Sequence, residues 1–132
     1  MKGIDVIYKD FLIDEKCALD YINKPLSTFA FELSSVNKNG ERYDGWLVNK
    51  NLVTTHYLLC YIDSCRVDEN PLMEDIQVME VILVEKSKII DFIEEKCCNL
   101  TEIIKKGDSV QGAFTYKGFR FVKSKHKAER SC

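Results

Sequence analysis

Asp20, Glu32 and Ser34 are the first residues in this sequence whose types and spacing suggest chemistry. Two carboxylates carried on neighbouring extended segments can hold Mg²⁺, a hard cation satisfied by one or two carboxylates together with phosphate oxygens. An ion held there activates water and neutralises the charge that builds on a phosphodiester under attack. A lysine beside the second carboxylate normally completes such a set, and the chain offers Ser34 in that place. Asp20 and Glu32 read equally well as solvent-facing strand acids. His56 sits in an apolar run, where it reads either as a hydrogen-bonded core residue or as a catalyst. Trp46, after Asp44-Gly45, is either a core lid or an exposed anchor for a partner. Lys117, Arg120, Lys123, Lys125, His126, Lys127 and Arg130 make a basic end that could meet phosphates or simply be a solvated tail.

The elements that must position these residues follow from pattern. In Thr28–Leu33, alternation sends Phe29, Phe31 and Leu33 to one face of a strand and Glu32 to the other. Asn37-Lys38-Asn39-Gly40-Glu41 predicts a turn, since Asn and Gly tolerate positive φ. Tyr57–Ile62 is apolar on both faces, which suits a central, doubly covered strand. Val78–Val84 predicts another strand, broken in polarity only by Glu80. The first third is mostly extended, with short apolar runs at Phe11–Ile13 and Ala18–Ile22. A helix over Asp5–Cys17 stays open, because Ile4, Ile7 and Phe11 fall at helical spacing. Ser87 can cap a helix with the apolar stripe Ile89, Ile90, Ile93 and Cys97. Asn99 and Glu102 resemble a capping box, with Lys105-Lys106-Gly107 as a stop. Lys117-Gly118 between Ala113–Tyr116 and Phe119–Val122 predicts a two-residue hairpin. The expected fold is α/β or α+β: one domain over residues 1–132, a central mixed sheet flanked by helices, and a basic, flexible tail at 123–132.

The six cysteines (Cys17, Cys60, Cys65, Cys97, Cys98, Cys132) are expected to be free, structural thiols. A zinc site is the sharper alternative, but Cys60-x4-Cys65 is too wide and adjacent Cys97-Cys98 cannot easily face one metal.

Asp20, the stretch Phe29-Ala30-Phe31-Glu32-Leu33-Ser34-Ser35, the Gly45-Trp46-Leu47 turn and Thr54-Thr55-His56-Tyr57-Leu58-Leu59 together resemble small PD-(D/E)xK proteins of phages and mobile elements. The resemblance spans about Asp20 to Val84 and implies a restriction-endonuclease-like fold and Mg²⁺-dependent hydrolysis of DNA. Asp20 and Glu32 would be the metal-binding acids, Ser34 stands where the motif has lysine, and Lys38 (or Lys50) would be a migrated lysine. His56 replaces the aspartate of a Thr-x-Asp-Tyr-like segment, and Trp46, His56, Tyr57, Arg120 and Lys123 are the expected binding residues. A missing lysine also fits an inactive relative: removal of one such charge stabiliser costs roughly 10²–10³ in rate.

Composition bounds all of this. The chain has 132 residues, 45% hydrophobic and 30% charged, with 19 Lys+Arg against 21 Asp+Glu and a net charge of −2. Disorder is not expected at that apolar content, and bulk charge is wrong for a general polyanion binder. No secretory h-region opens the chain and no apolar run approaches membrane length, so a soluble, cytoplasmic protein is expected. Phosphate-binding glycine loops and nucleophile-elbow or zinc-protease motifs do not occur. DNA, a protein partner or a second copy of the chain are the expected partners, and a membrane is not. The competing reading is a small non-enzymatic binder, an immunity protein or an inhibitor of a host defence, docking through Asp63, Asp68, Glu69, Glu74 and Asp75.

Overall fold

The computed structural model describes residues 3–18, 22–23, 29–65, 72–110 and 112–122. The protein is α+β, with a mixed four-stranded sheet, two two-stranded ribbons and two helices among the described residues. The backbone gathers into two compact units. One comprises residues 1–30, 53–85 and 129–132, and the other residues 31–52 and 86–128.

The first unit is built on the sheet. β1 (Val6–Tyr8) and β2 (Phe11–Cys17) form an antiparallel hairpin in which Tyr8 faces Phe11. Lys9 takes a φ of 52° in its turn. β2 then runs parallel to β5 (His56–Ser64), and β5 pairs antiparallel with β6 (Ile76–Glu85), giving the order β1-β2-β5-β6. The extended reading of the first residues therefore holds over the alternative helix at Asp5–Cys17. Cross-strand pairing rewards β-branched and aromatic residues, and Phe11–Ile13 finds such partners in the hairpin. β5 is central as expected. Tyr57 and Leu59 are buried on one face and Cys60 and Ile62 on the other. Among the described strands β6 lies at an edge, and Val78, Met79, Val81, Ile82 and Leu83 are exposed along it.

The second unit begins with a hairpin, β3 (Ser34–Val36) against β4 (Arg42–Asp44). The expected turn joins them. Asn37 Oδ1 accepts the N–H groups of Asn39 and Glu41, and Gly40 sits at a φ of 80°. The expected strand at Thr28–Leu33 is displaced: residues 29–33 are not strand, and regular pairing starts at Ser34. Pairing is decided by the partner available, and β4 offers one only from that point, although two further bonds (Gly45 N–H to Leu33 O and Leu47 N–H to Glu32 O) continue the line.

α1 (Lys86–Lys96) starts directly after β6, one residue before the expected Ser87 cap. α2 (Leu100–Ser109) is capped by Asn99, whose side chain accepts the Thr101 N–H at 2.8 Å. It runs two residues past Gly107, the expected stop; a single glycine costs a helix only about 1 kcal/mol. Cys97, Leu100 and Ile103 form the buried centre of this unit, joined by Leu33, Val48, Ile90, Ile93, Tyr116, Phe119 and Phe121. β7 (Phe114–Tyr116) and β8 (Phe119–Phe121) make the expected hairpin, with Lys117 and Gly118 both at positive φ. That is the geometry of a two-residue turn whose twist matches its strands. Among the described residues no helix is long and apolar enough to cross a membrane.

Candidate functional site

The residue most out of keeping with its surroundings is Asp14, in the middle of β2. It is only 4% exposed, among the buried residues of the sheet. Side chains alternate along a strand, so Leu12, Asp14 and Lys16 share one face. The Lys16 ammonium lies 2.9 Å from Asp14 Oδ1, and both side chains are largely withdrawn from water. The parallel register sets Tyr57 beside Asp14 on that face, and Tyr57 is completely buried.

A second carboxylate arrives from the neighbouring strand. Asp5 immediately precedes β1, and its N–H donates to the O of Ile13, the residue that Val6 faces, at 2.8 Å. The Asp5 carboxyl lies near enough to Asp14 to act on its ionisation. Asp5 Oδ2 also accepts the Glu15 N–H at 2.9 Å, which fixes the side chain. Asp5 is exposed while Asp14 is buried, so the pair has one wet and one dry member.

Electrostatics at the pair follow from that asymmetry. Burial pushes the Asp14 carboxyl above its ordinary value of 3.8, the Lys16 hydrogen bond and charge pull it back, and the neighbouring Asp5 pushes it up again. Desolvation outweighs the lysine, so Asp14 is inclined to hold a proton. Burial, reinforced by the Asp14 charge, also raises the Tyr57 hydroxyl, which stays neutral.

The spacing sought at Glu32 and Ser34, an acid followed two residues later by lysine on one strand face, occurs at Asp14 and Lys16. Asp5, Asp14 and Lys16 are the residues that sequence reasoning passed over. The signal was available: Asp14-Glu15-Lys16 places two charges on the same face as Leu12, next to a turn that brings Asp5 alongside.

The residues expected from sequence fall elsewhere. Asp20 and Lys123 lie outside the described residues. Glu32 does not sit on a strand; its Oε2 accepts the Trp46 N–H at 3.3 Å, holding the turn after β4. Ser34 is exposed at the start of β3, and Lys38 and Lys50 are exposed in loops. Trp46 is 8% exposed and packs on Phe31 with ring centroids 5.6 Å apart, so it belongs to the core. His56 stacks on Phe11 at 3.9 Å and shares a 2.8 Å hydrogen bond with Thr55 Oγ1. It pairs with Ile13, which places it on the face of the sheet opposite Asp14 and Tyr57. Tyr57 alone among the expected binding residues adjoins the carboxyl pair. Arg120 is exposed on β8, beside a shallow depression lined by Ala113, Phe114 and Thr115.

The acidic stretch is divided. Asp63 and Glu74 are exposed, Asp75 Oδ2 accepts the Leu72 N–H, and Asp68 and Glu69 lie outside the described residues. Among the described cysteines one departs from expectation, and Cys132 lies outside the described residues. Cys17, at the end of β2, is disulfide-bonded, because spacing along a chain does not reveal which sulfur atoms meet in space. Cys60, Cys65, Cys97 and Cys98 are free thiols, and burial pushes the Cys60 thiol up. Among the described residues no group of three or more His, Cys, Asp or Glu is arranged to hold a metal. Comparison with family models, with curated proteins and with solved structures finds no match to this chain.

Proposed function

We propose that the protein is a Mg²⁺-dependent phosphodiesterase acting on DNA, with Asp5, Asp14 and Lys16 as its reacting groups. The observation that carries this reading is a buried acid with an exposed acid near it and a lysine 2.9 Å away on the same strand, two residues from the buried acid. The acid-x-lysine spacing is also the element of the PD-(D/E)xK resemblance that Glu32 and Ser34 leave incomplete. The donor set fits the ion: both ligands are hard oxygens, and Asp5 faces solvent, which leaves room for water and phosphate. Bound there, Mg²⁺ supplies a polarised water and offsets the charge gathering on the phosphoryl oxygens.

The chain's own residues have separable tasks. Asp14 would hold the ion through an ionised oxygen from the dry side of the site and Asp5 from the wet side, with the proton of the attacking water passing to solvent. Lys16 is close enough to shift from Asp14 to a phosphoryl oxygen as negative charge develops there. Tyr57 closes the inner wall and keeps the local dielectric low, which strengthens both interactions.

The test is cleavage of plasmid and single-stranded DNA with Mg²⁺ or Mn²⁺, comparing the parent with Asp14→Asn, Lys16→Ala and Glu32→Gln. Asp14→Asn and Lys16→Ala are each expected to lower the rate by about 10²–10³-fold. Glu32→Gln keeps the parent rate if Asp5 and Asp14 are the acids. Loss of activity in Glu32→Gln, with Asp14→Asn unaffected, would return the site to Asp20 and Glu32. A parent protein inert on every DNA and RNA form with either ion removes the enzymatic reading.

A further inference from the structure

The candidate site occupies one face of the sheet and leaves the sulfur chemistry of the other face unused. β2 and β5 run parallel with Cys17 beside Cys60, the last pair of their ladder. Just beyond that pair, the Ala18 N–H donates to Cys60 O at 3.0 Å. Side chains alternate along each strand, so Ile13, Glu15 and Cys17 share the face away from Asp14 and Lys16, and Cys60 shares it with Cys17. The two cysteines differ in state. Cys17 is disulfide-bonded, whereas Cys60 is a free thiol, 4% exposed, whose S–H donates to Leu58 O at 3.7 Å. Since Cys60, Cys65, Cys97 and Cys98 are all free, the sulfur bonded to Cys17 lies outside the described residues.

We propose that Cys60 exchanges into this disulfide, so that Cys17 has two interchangeable linkages, one to its present partner and one across the sheet to Cys60. Neighbouring strands stand about 4.7–4.9 Å apart, inside the roughly 4.4–6.8 Å between Cα atoms that a disulfide spans. The Cβ atoms of the pair leave the sheet on the same side, which is the second requirement for a bridge. In the exchange the Cys60 S–H gives up its proton to solvent and the thiolate attacks Cys17 Sγ. The Cys60–Cys17 bond forms as the bond from Cys17 to its present partner breaks. That partner sulfur leaves with the electron pair and takes up a proton. One disulfide and one thiol stand on each side of the step, so neither an oxidant nor a reductant is consumed.

The surroundings of Cys60 restrain the exchange. It faces Val81 on β6 and lies between Leu58 and Ile62 on its own face of β5. Burial first, and the Glu15 charge second, push its thiol up. Only the thiolate attacks, so the present linkage persists until that proton is lost. After exchange the bond staples β2 directly to β5 and the former partner is a thiol. None of this depends on the proposed chemistry at Asp5, Asp14 and Lys16, and its test reads disulfide connectivity, not cleavage.

The full chain, purified without reductant, is held for a day near about pH 8.5, the ordinary range of a cysteine thiol. Samples taken through that day are quenched in acid, and their free thiols are blocked with N-ethylmaleimide in denaturant. Mass mapping of the non-reduced peptides then reads which sulfur Cys17 is joined to. A Cys17–Cys60 peptide should grow in as the original linkage declines. It should be at least about tenfold more abundant than Cys17 joined to Cys65, Cys97 or Cys98, because groups held side by side out-compete distant ones. Cys60→Ser should keep the original linkage over the same period. A parent chain in which Cys17 keeps a single linkage throughout, or has none, overturns the proposal. So do linkages spread evenly over the free cysteines, and so does decline of the original linkage in Cys60→Ser at the parent's rate. The parent's map decides by itself if Cys60→Ser does not fold.

Discussion

Asp14 concentrates most of what is unusual at the residue scale. A carboxylate withdrawn from water on the central part of a sheet is costly unless a partner or a proton relieves it. Here Lys16 supplies a partner and Asp5 works against it. Replacing Asp5 by Asn keeps an oxygen for the Glu15 N–H and removes a negative charge. The Asp14 pKa, followed by carboxyl NMR shifts, is therefore expected to fall in Asp5→Asn relative to the parent. An unchanged value would mean that burial alone sets it. Mg²⁺ should move the parent pKa downward as well, since a cation favours the ionised form.

At the scale of elements, the turn after β4 shows how a glycine decides a connection. Gly45 donates its N–H to Leu33 O at 3.0 Å, and a Cβ built on it would fall 2.4 Å from Glu32 O. That contact is with backbone, which cannot swing aside. Gly45→Ala is expected to cost about 2–3 kcal/mol in urea unfolding, the range of overpacked sites. A loss below about 0.5 kcal/mol would show that the turn gives way freely. The same turn explains why Glu32 is not presented on a strand. Its backbone oxygen and its carboxylate are both taken up in holding Trp46 and Leu47.

For the molecule as a whole, Asp14 makes folding depend on pH in a direction opposite to that of most salt-bridged acids. Its folded pKa is raised, so the native chain holds this proton more firmly than the unfolded chain does. The resulting stabilisation is complete below the ordinary aspartate value of 3.8 and is lost as pH climbs through the raised value. Asp14→Asn does not titrate there. Its stability relative to the parent should therefore rise through that window and level off above it, as read by thermal or urea unfolding at a series of pH values. A difference that stays flat with pH would show Asp14 to be as easily ionised folded as unfolded. Saturating Mg²⁺ should shrink the gap by stabilising the parent alone.

Much of the framework was legible in the sequence because it depends on neighbours in the chain. The Asn37–Glu41 turn, the Lys117-Gly118 hairpin, the Asn99 cap and the apolar run of β5 are all local matters of permitted φ, side-chain capping or hydrophobic pattern. The strand expected at Thr28–Leu33 was legible only in part, since pairing requires a partner and β4 meets this segment from Ser34 onward. The pairing of Asp5 with Asp14 was not legible at all. Both lie in short, mixed stretches, and either a helix or a hairpin was compatible with their spacing. What brought Asp5 near Asp14 was the β1–β2 hairpin, and β2 itself docks parallel on β5, forty residues away in the chain. Composition and local pattern determined that this chain mixes helices with strands and where its turns fall. Only the tertiary structure decided which acids meet, because desolvation and cross-strand contact arise between segments that the chain itself keeps far apart.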